Sequence, residues 1–185
     1  MQDKIVFRGT TKKGNSIIVR YPKKSDVKAM WAYINKLSKE QTFILFQGEE
    51  IAFKDEEEYL KKTLEKIEKK KAVQLFVFSN NKLVGISEIN MRDRAVAHEG
   101  VFGISVLKKY RGEGIGKKLM EQVLKEAKKN LPQLRIVTLG VFENNLPALK
   151  MYEKFSFREF GKLPEGILYK GKYIDHIYMY KKVKG

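Results

Sequence analysis

The chain has 185 residues, with 38 Lys plus Arg against 22 Asp plus Glu, a net charge of +16, 43% hydrophobic residues and no Cys. These figures suit one domain with a full core, and they exclude global disorder, a disulfide framework, a thiolate metal site and a cysteine nucleophile. The excess charge attracts polyanions such as nucleic acid or a phosphorylated cofactor, but the Lys residues are scattered in the manner of a solvated surface.

Residues 5–7 and 16–20 are β-prone runs separated by the turn signal Thr10-Thr-Lys-Lys-Gly-Asn15, and predict a hairpin. Ser25 or Asp26 can cap a helix to about Ser38 that carries Val27, Met30, Trp31, Ile34 and Leu37 on one face. Residues 42–53 are apolar and aromatic around Gly48, with no period to assign. Asp55 is expected to cap a second helix to about Lys70, burying Tyr59, Leu60, Thr63, Leu64 and Ile67. The period then changes. Residues 73–78 and 83–91, about the turn Asn80-Asn81, predict a second hairpin, and a third strand runs from about His98 to Leu107. A long helix begins near Gly114 and closes at Asn130 and Pro132. A strand over 134–142, a helix over 146–155 and strands over 157–160 and 173–180 follow. No linker, repeat or low-complexity tract divides the chain, so residues 1–185 are expected to form one domain. Hairpins mixed with strand–helix–strand units predict an α/β protein with a mixed sheet and helices on its faces. No run approaches the ~18 apolar residues of a membrane span, and no apolar stretch follows the basic residues of the start. The expected location is the cytoplasm.

The informative stretch is 101–119, where a strand meets a turn holding Gly112, Gly114 and Gly116 and a helix follows at once. Ile115, Leu119, Val123, Ala127 and Leu131 recur every four residues on the core side of that helix, leaving Lys117, Lys118, Lys125 and Lys128 outside. The glycines therefore lie where a helix leaves free N–H groups and the positive end of its dipole. They let an anion approach the backbone, and Arg111 and Lys117 add charge, which makes a site for a phosphate or pyrophosphate. It is a poor dinucleotide fingerprint, because Lys117 stands where the third Gly belongs, and a poor P-loop, because Lys118 follows Gly116-Lys117. A plain tight strand-to-helix turn is the bland alternative.

Arg111-x-x-Gly114-x-Gly116 after Ile104-Ser-Val106 resembles the acetyl-CoA motif of the GNAT superfamily of N-acetyltransferases. Val141-Phe-Glu-Asn-Asn145, Ala148 and Met151-Tyr-Glu-Lys-Phe-Ser-Phe157 resemble the family's second block, with Ser156 where Gly is usual. The closing segment 173–180 resembles its last strand. The likeness covers about residues 72–181, with a cofactor-binding core at 72–160. It implies a GNAT-like acyl-CoA N-acyltransferase fold, a mostly antiparallel central sheet flanked by about four helices. It also implies transfer of an acetyl group from acetyl-CoA to a primary amine of a small molecule, polyamine or protein, with no metal. On the resemblance, the backbones of Ile104, Ser105 and Val106 would pair with the pantetheine arm. Those of Gly112, Glu113, Gly114, Ile115, Gly116 and Lys117 would hold the pyrophosphate with Arg111 at the edge, and Asn145 would bond the cofactor chain.

Direct transfer needs an acid for the departing thiolate and a base for the amine, which is mostly protonated near neutrality. Tyr152 matches the family position for the acid, although a core aromatic is the bland reading. Glu99 and Glu88, on neighbouring strands, are the candidate bases, each competing with a surface role. His98 and His176 can titrate but are read as structural. Glu49, Glu50 and the run Asp55-Glu56-Glu57-Glu58 concentrate acid where the family binds its acceptor, and are expected to attract a cation or to favour a helix N-terminus. Two rival readings keep their place. One is a CoA-binding protein without catalysis. The other is a nucleic-acid module built on Tyr169-Lys-Gly-Lys-Tyr173 and Lys181-Lys-Val-Lys184, with nucleic acid the less favoured partner. No membrane partner is expected, and homodimer formation stays open.

Overall fold

The computed structural model describes residues 1–183. Strands β1 (Ile5–Thr10) and β2 (Ser16–Arg20) form the first hairpin, and helices α1 (Val27–Lys39) and α2 (Phe53–Glu68) follow. Strands β3 (Ala72–Ser79), β4 (Lys82–Met91) and β5 (Glu99–Val106) come next, then helix α3 (Ile115–Asn130) and strand β6 (Ile136–Phe142). Helix α4 (Leu146–Lys154) and strands β7 (Arg158–Tyr169) and β8 (Lys172–Lys182) complete the described chain. The result is a mixed α/β fold, an 8-stranded sheet of order β1-β2-β3-β4-β5-β6-β8-β7 with helices on both faces. Among the described residues no helix is long and apolar enough to cross a membrane.

Three details differ from the sequence expectation. Tyr59, expected in the buried stripe of α2, is 43% exposed, and Glu56 is buried on that helix instead. Asp55 does not cap α2. The N-cap is Ala52, and Asp55 sits in the first turn, where its charge complements the helix dipole. Strand β7 runs well beyond the expected 157–160. It is an edge strand exposed on both faces for most of its length, so no alternation announces it. Pro164 and Glu165, the latter at φ 54°, occupy a register break between Leu163 and Ile167, which an edge tolerates.

Strand β3 is buried almost throughout because both of its faces are covered. Val73, Leu75 and Val77 belong to one core with Leu119, Met120 and Val123 of α3. Phe76 joins Met30 and Leu37 of α1 and Leu60 and Leu64 of α2 on the other face. A fully buried Leu, Met or Phe on these faces contributes about 1.5–3 kcal/mol.

Strands β5 and β6 are the parallel pair, because α3 crosses over between them. Their register runs only from Glu99↔Ile136 to Val101↔Thr138, whereas β4 stays paired with β5 as far as Val106. Beyond Val101 the sheet forks and β5 keeps one open edge. The rings of Phe102, Tyr152 and Phe157, with centroids 6.0–6.2 Å apart, pack at the root of the fork.

Candidate active site

The open edge of β5 has a definite polarity. The Leu107 N–H donates to the Val84 carbonyl (3.0 Å) and the Arg92 N–H to the Glu99 carbonyl (2.9 Å), so odd-numbered residues turn their backbone toward β4. The His98 carbonyl accepts from Arg135 (2.9 Å) on the opposite side. Because an extended backbone alternates, Phe102, Ile104 and Val106 face the fork. Ser105 therefore does not offer its backbone there, contrary to the sequence reading. Its hydroxyl instead meets the Tyr33 hydroxyl at 2.8 Å. The Val106 carbonyl on the open edge already accepts from Arg111 Nε (2.8 Å).

The open edge leads into the glycine turn. Gly112 and Gly114 have φ of 77° and 88°, a region that side chains rarely enter, and Gly114 is the N-cap of α3. The first helical bond is given by Lys118 to the Gly114 carbonyl (3.0 Å), so the N–H groups of Ile115, Gly116 and Lys117 point out of the helix end. Arg111 is not free at the edge of this loop. Its guanidinium donates to Thr42 Oγ1 and Glu40 Oε2, both at 2.9 Å, and ties the turn to residues 40–42. Glu113 is buried, and its carboxylate accepts from Thr11 Oγ1 (2.9 Å) and Asn15 Nδ2 (3.1 Å) and pairs with Lys13. The Asn15 and Thr11 hydrogen bonds hold its carboxyl below the usual range. This contact pins the β1–β2 turn onto the glycine loop, and the Lys12 stem lies across Gly114, 3.9 Å from where a Cβ would stand. The sequence reading missed this, since nothing local links Thr11 to Glu113.

A cavity of about 560 Å³ opens from the fork toward α1 and α2. Asn145 and Tyr152 line it from α4. Asn145 caps that helix through Oδ1, which accepts from the Ala148 N–H (3.4 Å), leaving its NH₂ for other partners. Tyr152 is only 6% exposed, and burial pushes its phenol up to about 12, which keeps the O–H in place at neutral pH.

The acidic residues separate clearly. Glu88 lines the cavity and accepts from Gln74 Nε2 (2.8 Å) and the Tyr59 hydroxyl (2.9 Å). Glu56, 8% exposed, lines the same cavity with no hydrogen-bond partner for its carboxylate among the described residues. Burial, and then repulsion from Glu88, push its carboxyl up to about 7. Of the two candidate bases, Glu99 is not brought in. It lies where β5 still has β6 as a neighbour and pairs with Arg92 at 3.5 Å. Glu56 was legible only as part of an acidic run, because which residue of α2 faces inward depends on how the helix docks. Glu58 pairs with Lys62 at the surface, and Glu49 accepts from Gln47 within its own loop. His98 contributes only its carbonyl to the β6 ladder. His176 does line the cavity, stacked on Tyr178 at 4.4 Å, and burial lowers its pKa toward the neutral form.

Residues 40–52 form the cavity's cover. Asn35 clasps Ile51 through both backbone groups (2.9 and 3.0 Å), Trp31 Nε1 donates to the same carbonyl (2.8 Å), and Ser38 Oγ donates to the Glu49 carbonyl (2.8 Å). Phe43 packs against Phe142 and Tyr169 at 5.9 and 5.4 Å. Tyr169 is thus held against the cover, where its hydroxyl donates to the Gln41 carbonyl (3.2 Å), and Lys184 of the other basic cluster lies outside the described residues.

Residues 31–157 match the family model described as the acetyltransferase (GNAT) family. An L-amino acid N-acetyltransferase of Escherichia coli is 31% identical over 107 residues, which are 57% of this chain and 65% of that protein. The match thus spans just under two thirds of that relative's length. A GNAT-family acetyltransferase structure from Streptococcus pneumoniae superposes with a TM-score of 0.83 at 27% identity, over 91% of this chain and 99% of that one. A putative acetyltransferase of Salmonella typhimurium, solved with its cofactor acetyl-CoA, shares the fold at a TM-score of 0.79 and 15% identity, over 91% of this chain and 95% of that one.

Proposed function

This chain belongs to the acetyltransferase (GNAT) family, and we propose that it is an acetyl-CoA-dependent N-acetyltransferase acting on a primary amine in the cytoplasm. The observation that carries the reading is the fork. An open strand edge leads from the cavity to a helix mouth whose N–H groups are unengaged among the described residues, the geometry that a pantetheine arm ending in a pyrophosphate requires.

Ile104 and the Val106 N–H would pair with the amides of the arm, and the Asn145 NH₂ would bond it from the other branch of the fork. The N–H groups of Gly112 to Lys117 would hold the pyrophosphate, with Lys12 beside Gly114 supplying charge. Arg111 and Glu113 act as positioning residues that brace the loop from two sides. Glu88 and Glu56 would take the proton of the incoming ammonium. Of the two, Glu56 is better poised, since a base titrating near 7 is both ionised and able to accept at neutral pH. The freed amine then attacks the acetyl carbonyl, the C–N bond forms and the C–S bond breaks. Tyr152 gives its phenolic proton to the leaving thiolate, and the proton that the acylated nitrogen sheds on becoming an amide restores the phenol. The chain has no Cys to carry the acyl group, which agrees with direct transfer.

Calorimetric titration with acetyl-CoA, followed by thiol release with an amine panel, tests the reading. The parent should bind; Gly114→Glu should lose binding with a lowered thermal midpoint, since its φ of 88° disfavours a side chain, whereas Gly116→Glu, whose backbone accepts one, should lose binding at a midpoint near that of the parent. Tyr152→Phe should keep its affinity while kcat falls about 100-fold. Unaltered binding by Gly114→Glu or Gly116→Glu would overturn the cofactor site. Unaltered kcat in Tyr152→Phe would return that residue to the core.

A further inference from the structure

The polar lining of the acceptor side of the cavity has an unusual balance. On a chain of net charge +16, no Lys or Arg is among the described residues that line the cavity, while two carboxylates are. His176 is the remaining lining group that can turn positive, and burial biases it toward the neutral ring. Glu56 is buried without a hydrogen-bond partner among the described residues. Gln74, 1% exposed, gives its Nε2 hydrogens toward Glu88 and Tyr59 and leaves its Oε1 buried with nothing to accept from. The site therefore presents carboxylate oxygens in search of donors, those of Glu56 and the Oε1 of Glu88, while Gln74 holds the other Glu88 oxygen in place. An alkylammonium brings three N–H donors and one positive charge, which matches that deficit. Around these groups the walls are apolar, with Met30, Ile34 and Leu37 from α1 and Phe43, Ile44 and Phe46 from the cover.

We propose that the acceptor is a small primary amine with an alkyl or aryl body and no carboxylate next to the nitrogen, selected by the Glu56–Glu88–Gln74 cluster. This rests on the acetyl-transfer reading above. Two physical effects make the selection. The cluster offers an ammonium hydrogen bonds and compensating charge. A carboxylate on the same carbon as the amine would be desolvated beside two acidic side chains, without any cation to pair with. The apolar cover rewards a body that has no second charge to bury.

Matched pairs test this directly, since phenethylamine and L-phenylalanine, or isoamylamine and L-leucine, differ only in the carboxylate. Acetyl-CoA-dependent thiol release should favour the amine of each pair at least 100-fold in kcat/KM, and L-phenylalanine amide should recover most of the difference. Glu56→Gln should shrink the phenethylamine-to-phenylalanine ratio at least tenfold, a change that general loss of a base would not produce because it lowers both rates together. Equal or better turnover of the amino acids, a ratio unmoved by Glu56→Gln, or turnover confined to peptide N-termini would each overturn the proposal. So would failure of every small amine. Calorimetry separates that last result from failure of the broader reading: a protein that binds acetyl-CoA but rejects these amines keeps its family chemistry and loses only this acceptor class.

Discussion

Glu56 is the residue at which stability and chemistry meet. Its carboxyl titrates near 7 in the folded protein and near 4.5 in the ordinary state, so folding takes up a proton between those values. The stability that accompanies the neutral form is complete below pH 4.5 and is lost as the pH rises through 7. Glu56→Gln should erase that slope. Chemical denaturation should show the variant matching the parent near pH 4 and exceeding it by on the order of 3 kcal/mol at pH 8. The cost to function runs the other way, because the parent's rate should rise with pH through about 7 and the variant's acid limb should lose that step. A parent whose stability is flat between pH 4.5 and 8 would show that Glu56 is not held in a desolvated state. Tyr152 illustrates the opposite use of burial: removing the phenol from water strengthens its hold on a proton and so keeps it a donor.

At the scale of elements, the glycine loop depends on pieces far away in the chain. The β1–β2 turn is fastened to it by Glu113, and the cover of the cavity is fastened to it by Arg111 and Glu40. Glu113→Ala should free the turn and carry Lys12 away from Gly114. The expected result is a several-fold rise in KM for acetyl-CoA with little change in kcat, because the acid and base in the cavity are untouched. A fall in kcat at unchanged KM would refute that bracing role. Helix α3 needs no such help. Its buried stripe, Ile115, Leu119, Val123 and Ala127, follows the helical period, and the lysines take the outer face.

For the whole molecule the decisive feature is that β5 and β6 part company after Val101. Acetyl-CoA should act as an added strand there. Amide exchange should slow at Ile104 and Val106 on its addition and stay unchanged at Ser105, whose backbone already faces β4. Equal slowing at Ser105 would mean that the arm lies elsewhere. Much of this architecture is written locally. The element order, the glycine turn at 112–116, the α3 stripe and the pairing of Asn145 with Tyr152 on one side of α4 follow from turn chemistry and from periods of two and 3.6, which neighbours in the chain alone determine. The length of β7 was hidden, since a strand exposed on both faces has no pattern to betray it. The order of residues 42–53 was hidden as well, because Asn35, Ser38 and Arg111 supply their hydrogen bonds from outside the segment. Which carboxylate enters the cavity was the most distant question of all. Glu56, Glu88 and Glu99 look alike in sequence. Only the docking of α2 over β3 and β4, and the position of Glu99 below the fork, give the first two a desolvated cavity and the third a surface arginine.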